Sequence, residues 1–136
     1  MSTARINSRS EQAFRAATKA NELIGEIREK QTAAWDTYFS ASEIAAALSE
    51  AQAADAAYNQ ADQAISVTLD DLCTQAEKRL LSLGDRSENM LMLVDFSDPN
   101  LDLADLREAT RIYDNAADEV MVLLTDIRAD LSSHFL

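Results

Sequence analysis

Residues 102–134 read DLADLREATRIYDNAADEVMVLLTDIRADLSSH. Positions 103, 106, 110, 113, 117, 120, 124, 127, 131 and 134 advance by alternate steps of three and four, and carry Leu, Leu, Thr, Tyr, Ala, Val, Leu, Ile, Leu and His. An α-helix turns once in about 3.6 residues, so this spacing lays one long seam, mostly apolar, along a single face. Asp102 is placed to cap the helix, and Leu101 and Leu106 flank the cap as a hydrophobic staple. Ile112, Ala116 and Leu123 stand beside the seam, so this helix meets neighbours on more than one side. A bundle satisfies that pattern better than a two-stranded coil.

The rest of the chain supports the same reading. Gly25, Gly84 and Pro99 are its only glycines and proline, while alanine fills 24 of 136 positions. Hairpin turns and phosphate-cradling loops draw on glycine and proline, so a β-rich fold is excluded. Before residue 102, Ser8-Arg9-Ser10-Glu11 forms a capping box, in which a serine accepts an orphan amide and a glutamate returns the bond. A helical stripe follows at Ala13, Ala17, Ala20, Ile24, Ile27, Ala34 and Tyr38, widened by Phe14, Leu23 and Trp35. Gly25 interrupts it, as a site of close helix contact or a slight bend.

A second box, Ser40-Ala41-Ser42-Glu43, predicts a turn directly after Phe39. One continuous helix through this point is the alternative. The second helix is expected over about 42–83, with a break within it near 49–55, where Ser49-Glu50-Ala51-Gln52 is a third box. The next stripe is Ala54, Tyr58, Ala61, Ile65, Leu69, Leu72, Ala76, Leu80 and Leu83. Lys78 and Arg79 suit the negative end of a helix dipole, and Gly84 suits the left-handed position just beyond it. Ser87 then caps a short helix carrying Met90 to Val94, and Asp95, Asp98, Pro99 and Asn100 read as turns. The expectation is a single all-α domain over residues 1–136, an elongated three- or four-helix antiparallel bundle with helices at about 8–39, 42–83, 87–94 and 102–134.

Large apolar residues are a minority, and alanine supplies much of the 47% hydrophobic content. Alanine buries little area, so a thin bundle or an oligomer is favoured over a globular core. The net charge of −12 is uneven: +1 over residues 1–40, −5 over 41–83 and −8 over 84–136. Such acidity disfavours nucleic acid and anionic membrane as direct partners, and suits a protein partner with a basic surface. No apolar run approaches the ~20 residues of a membrane span. The N-terminal residues lack an apolar signal core, and a cytoplasmic protein is expected.

Chemistry is sparse. The single histidine, His134, is too little for a triad or a histidine-based metal site. Cys73, in Asp70-Asp71-Leu72-Cys73-Thr74, has acidic neighbours that disfavour a thiolate. The stretch Asp95–Asp102 lacks the central glycine and terminal glutamate of an EF-hand loop. No catalytic residue, cofactor or metal is expected.

What the sequence does offer is surface. Trp35, Tyr38 and Phe39 form one apolar cluster, and Met90, Met92 and Phe96 with their leucine neighbours form another. Methionine-rich surfaces adapt to partners, and Trp and Tyr serve as anchors. Each cluster alternatively closes an end of the bundle, and the two are placed near enough to chain turns to meet one another. Asp114, Asp118 and Asp126 mark an acidic outer face. The function expected is a non-enzymatic protein–protein interaction module that self-associates or binds a larger partner. The alternatives are an acidic inhibitor that imitates nucleic acid, of the kind small phage or mobile-element proteins supply, and a small assembly or secretion-associated subunit.

Overall fold

A computed structural model describes residues 8–135, with all side chains among them except those of residues 83–87 and 89. Three long helices carry the described chain: α1 (Arg9–Ala46), α2 (Ala51–Met92) and α3 (Leu103–His134). At 1.5 Å per residue the longest spans roughly 60 Å. The fold is an all-α bundle, and every helix packs on both others.

Up-down-up connectivity makes α2 antiparallel to its neighbours and α1 parallel to α3. Side-chain contacts show the directions. Arg79 on α2 meets Glu26 on α1 at 3.3 Å, and Arg128 on α3 pairs with Glu77 on α2. The start of α1 touches Asp105 near the start of α3, and Tyr38 touches His134 at the end of α3.

The core is a narrow column. Ile27, Ile65, Leu69, Tyr113, Val120, Leu123, Leu124 and Ile127 are its large buried members, and Ala13, Ala16, Ala20, Ala76, Ala109 and Ala116 let the helices approach between them. Each large aliphatic side chain contributes about 1.5–3 kcal/mol by leaving water. On α3 the stripe is broader than a single seam: Ala109, Ala116 and Leu123 are buried with the seam residues, while Leu103 at its start is 51% exposed. This is the width needed to face two helices. Phe14, expected in the stripe of α1, is 66% exposed.

Several boundaries differ from the sequence reading. The first helix does not turn after Phe39 but continues to Ala46, with the turn at 47–50, at the third capping box. Residues 41–46 are helix formers, and continuation buries Ala45 completely. The second helix does not stop at Gly84. No described glycine has a positive φ, and the expected helix at 87–94 is the end of α2 itself. Helical glycine costs about 1 kcal/mol, but continuation carries Met90 onto the core. The Leu83 and Ser87 side chains lie outside those described. The cap at Asp102 is as expected: its Oδ1 accepts the Asp105 amide at 3.0 Å. No described helix is long and apolar enough to cross a membrane.

Candidate interaction surfaces at the two ends of the bundle

The α2–α3 connection is a run of side-chain-built turns. Asp95 Oδ1 accepts the Ser97 amide at 3.0 Å and its hydroxyl at 2.6 Å. These bonds hold the Asp95 carboxyl below its usual range. Asp98 Oδ1 accepts the Asn100 amide at 2.9 Å. Aspartate favours such turns because its short carboxylate reaches the backbone two residues on. The arrangement folds the backbone without burying the apolar residues beside it. Met92 is 81% exposed, Leu93 83% and Phe96 67%, with Leu91 and Leu103 also exposed. Met90, two residues before Met92 and so on another face of α2, is half-buried against the core and belongs to the packing.

A depression of about 1250 Å³ lies beside this connection, between it and the first turns of α1. Its walls include Leu93, Asp95, Asp98 and Asp102 from the connection and Arg9, Arg15 and Lys19 from α1. Residues 87–106 hold five acids and no Lys, Arg or His. Asp105, at the rim, is committed to the fold. Its Oδ2 accepts the Arg9 amide at 3.0 Å, and its Oδ1 accepts the Ser10 amide at 3.2 Å and the Ser10 hydroxyl. Partial burial pushes its carboxyl up. The Ser10 side chain, the two amides and the Arg9 charge outweigh that and hold it below the usual carboxylate range.

At the opposite end, Trp35 and Tyr38 meet the last turn of α3. The Trp35 and Tyr38 rings lie edge-on at 5.6 Å, and His134 stands 5.1 Å from Trp35 and 4.9 Å from Tyr38. The Tyr38 hydroxyl donates to Asp62 Oδ1 at 3.0 Å and lies 2.8 Å from His134 Nε2. A carboxylate only accepts, so the single phenolic proton goes to Asp62, and His134 Nε2–H donates to the phenol oxygen. One hydrogen-bond chain thereby ties α3 to α1 and α2. Burial raises the Tyr38 phenol above its ordinary value. The nearby Ser42 hydroxyl, which forms no hydrogen bond of good geometry, opposes this, and the Asp62 carboxylate adds to it.

The candidate residues therefore separate. Trp35 and Tyr38 are half-buried and close an end, whereas Phe39 beside them is 53% exposed. Met92 and Phe96 are open to solvent at the other end. The two apolar clusters do not meet, because α3 runs for 32 residues between them. Asp114, Asp118 and Asp126 are exposed, and no ion pair holds them among the described residues. Sequence reasoning missed Asp105 and the joining role of His134. Both act across 95 or more residues of chain, a separation at which periodicity carries no signal.

Cys73 is buried, and desolvation raises its thiol, with Arg128 opposing and Glu77 and Asp70 reinforcing. Among the described residues, no three His, Cys, Asp or Glu side chains gather where they could hold a metal ion. No protein-family model matches this chain, and no curated protein and no solved structure matches it either.

Proposed function

We propose that this chain is a non-enzymatic protein–protein interaction module whose docking surface is the bundle end formed by the α2–α3 connection. The observation that carries this reading is the exposure of Met92, Leu93 and Phe96, each more than two-thirds open within five residues of chain. Exposed apolar side chains gathered in one place are a common mark of a partner site. Methionine and phenylalanine suit that role, one adaptable and the other a rigid anchor.

The test compares wild type with Met92→Ser/Leu93→Ser/Phe96→Ser as bait in lysate of the source cell. The reading expects proteins retained by wild type to be lost from the triple variant while both baits melt alike. An unchanged captured set overturns it. So does a variant that loses several kcal/mol of stability, because the strip would then belong to the core.

The acidic-inhibitor reading draws support from a different feature. Residues 31–77 contain eight acids and no Lys, Arg or His, and Asp114, Asp118 and Asp126 face solvent. This reading expects binding to a basic nucleic-acid-binding protein that weakens with salt and with Asp114→Lys, Asp118→Lys or Asp126→Lys. Binding that survives high salt excludes it.

A further inference from the structure

We propose that the occupant of the bundle end is a second copy of this chain, docked across a two-fold axis at the depression between the α2–α3 connection and the start of α1. The inference rests on the interaction-module reading and names the partner.

Charge pattern is the first argument. Asp95, Asp98 and Asp102 stand on one wall of the depression and Arg9, Arg15 and Lys19 on the other, with Glu11 the one acid among the α1 residues that line it. No ion pair joins the two walls among the described residues. Arg9 is engaged electrostatically by Asp105, but Arg15 and Lys19 extend into solvent. Asp95, Asp98 and Asp102 each use one carboxylate oxygen, Oδ1, in the hydrogen bonds of the connection, which leaves Oδ2 for another group. Opposite charges thus face one another across a space that the molecule does not close. A two-fold operation sets each wall of one copy against the opposite wall of the other, so a patch bearing both signs side by side is self-complementary. A surface of one sign, such as residues 31–77, has no such property.

Apolar complementarity is the second argument. Leu93 lines the same depression, so a two-fold contact there covers the exposed Leu93 of both copies at once, and Met92 and Phe96 neighbour it in the chain.

Repulsion between two copies favours the same end. Two copies each carry −12, which opposes association. The acid-only stretch 31–77 runs toward the opposite end of the bundle. Docking through the connection points these arms away from one another. At physiological ionic strength the Debye length is about 8 Å, so charges tens of ångströms apart are screened while those in contact are not.

A charge-swap mixing experiment decides the matter. Sedimentation equilibrium at physiological salt, from micromolar to millimolar protein, measures the mass of wild type, of Arg15→Glu/Lys19→Glu, of Asp95→Lys/Asp98→Lys, and of an equimolar mixture of the two variants. Wild type is expected to dimerise. Each variant alone brings like charges together and should dimerise at least about tenfold more weakly. The mixture should recover a one-to-one heterodimer, because one variant then offers two negative walls and the other two positive walls. Since Asp95 and Asp98 build turns, Asp95→Asn/Asp98→Asn supplies a second reading. It keeps acceptor oxygens, removes the charge, and should also weaken the dimer. A wild type that stays monomeric throughout overturns the inference, as does a dimer indifferent to all the variants. A monomer that still captures a partner through Met92, Leu93 and Phe96 overturns the second copy alone and leaves the module reading standing.

Discussion

Two side chains bind together parts of this protein that are distant in sequence. Asp105 belongs to the first turn of α3, where an acid is favourable to the helix dipole, yet its oxygens close the first turn of α1. Hydrogen bonds to a charged group contribute about 1.5–3 kcal/mol net, so Asp105→Ala is expected to lower unfolding free energy by about 2 kcal/mol in urea titration. The same carboxylate sets an acid dependence. Its folded value lies below the ordinary one of 3.8, so its stabilisation is fully present above that pH and disappears as pH falls through the folded value. Acid titration of wild type and Asp105→Ala should therefore converge once the pH has fallen below that folded value; a constant gap between the curves would refute the assignment. Tyr38 behaves oppositely. Its folded value lies above 10.0, so its stabilisation holds below that pH and is lost as pH rises through the folded value. Tyr38→Phe removes the link to both Asp62 and His134. A loss of about 1 kcal/mol is expected, with faster amide exchange confined to the last turns of α3 near residues 130–134. Exchange that speeds uniformly along all three helices would mean that the hydroxyl supports the whole core instead.

At the scale of the element, α3 was legible and the ends of α1 and α2 were not. The α3 pattern is strong because large aliphatic side chains recur on one face and Asp102 marks the start. The junction of α1 and α2 lies in an alanine-rich run, where two serine boxes, at Ser40 and Ser49, offer similar caps and the alanines between them discriminate little. Position 84 misled for a related reason. Glycine is common just past a helix, but the energy of continuing was set by Met90 reaching the core, a contact invisible in sequence. Gly25 provides a direct test of how far local rules hold. A Cβ built there meets nothing within 4 Å, so the glycine serves neither close packing nor a required backbone conformation. Gly25→Ala should stabilise by about 1 kcal/mol, seen as a higher urea midpoint at unchanged slope. Ala109, fully buried between helices, should behave the other way, with Ala109→Leu costing about 1–3 kcal/mol through overpacking. Equal effects at the two positions would imply that helix propensity, not packing, dominates this bundle.

For the molecule as a whole, charge and packing are unevenly matched. The described residues hold few ion pairs, and the Arg79–Glu26 and Arg111–Glu108 partners are about half or more exposed, a setting in which pairs contribute about 0–1 kcal/mol. Against them stands a net charge of −12, with eight acids and no base over residues 31–77. The candidate surface was half legible for this reason: composition exposed the acid excess and the apolar clusters, but only the fold separates Trp35 and Tyr38, which close one end, from Met92 and Phe96, which lie open at the other. Repulsion among the acids of the α1–α2 hairpin should make the monomer most vulnerable at low salt. The Debye length falls from about 30 Å at 0.01 M to about 10 Å at 0.1 M, so the melting temperature of dilute protein should rise by several degrees over that range. Neutralising Glu43, Glu50 and Asp55 to their amides should raise the low-salt value and flatten the salt dependence, since these three lie where the hairpin turns and no described ion pair holds them. A melting temperature that falls as salt is added would require the few ion pairs to outweigh the repulsion, and would reverse this account of the hairpin.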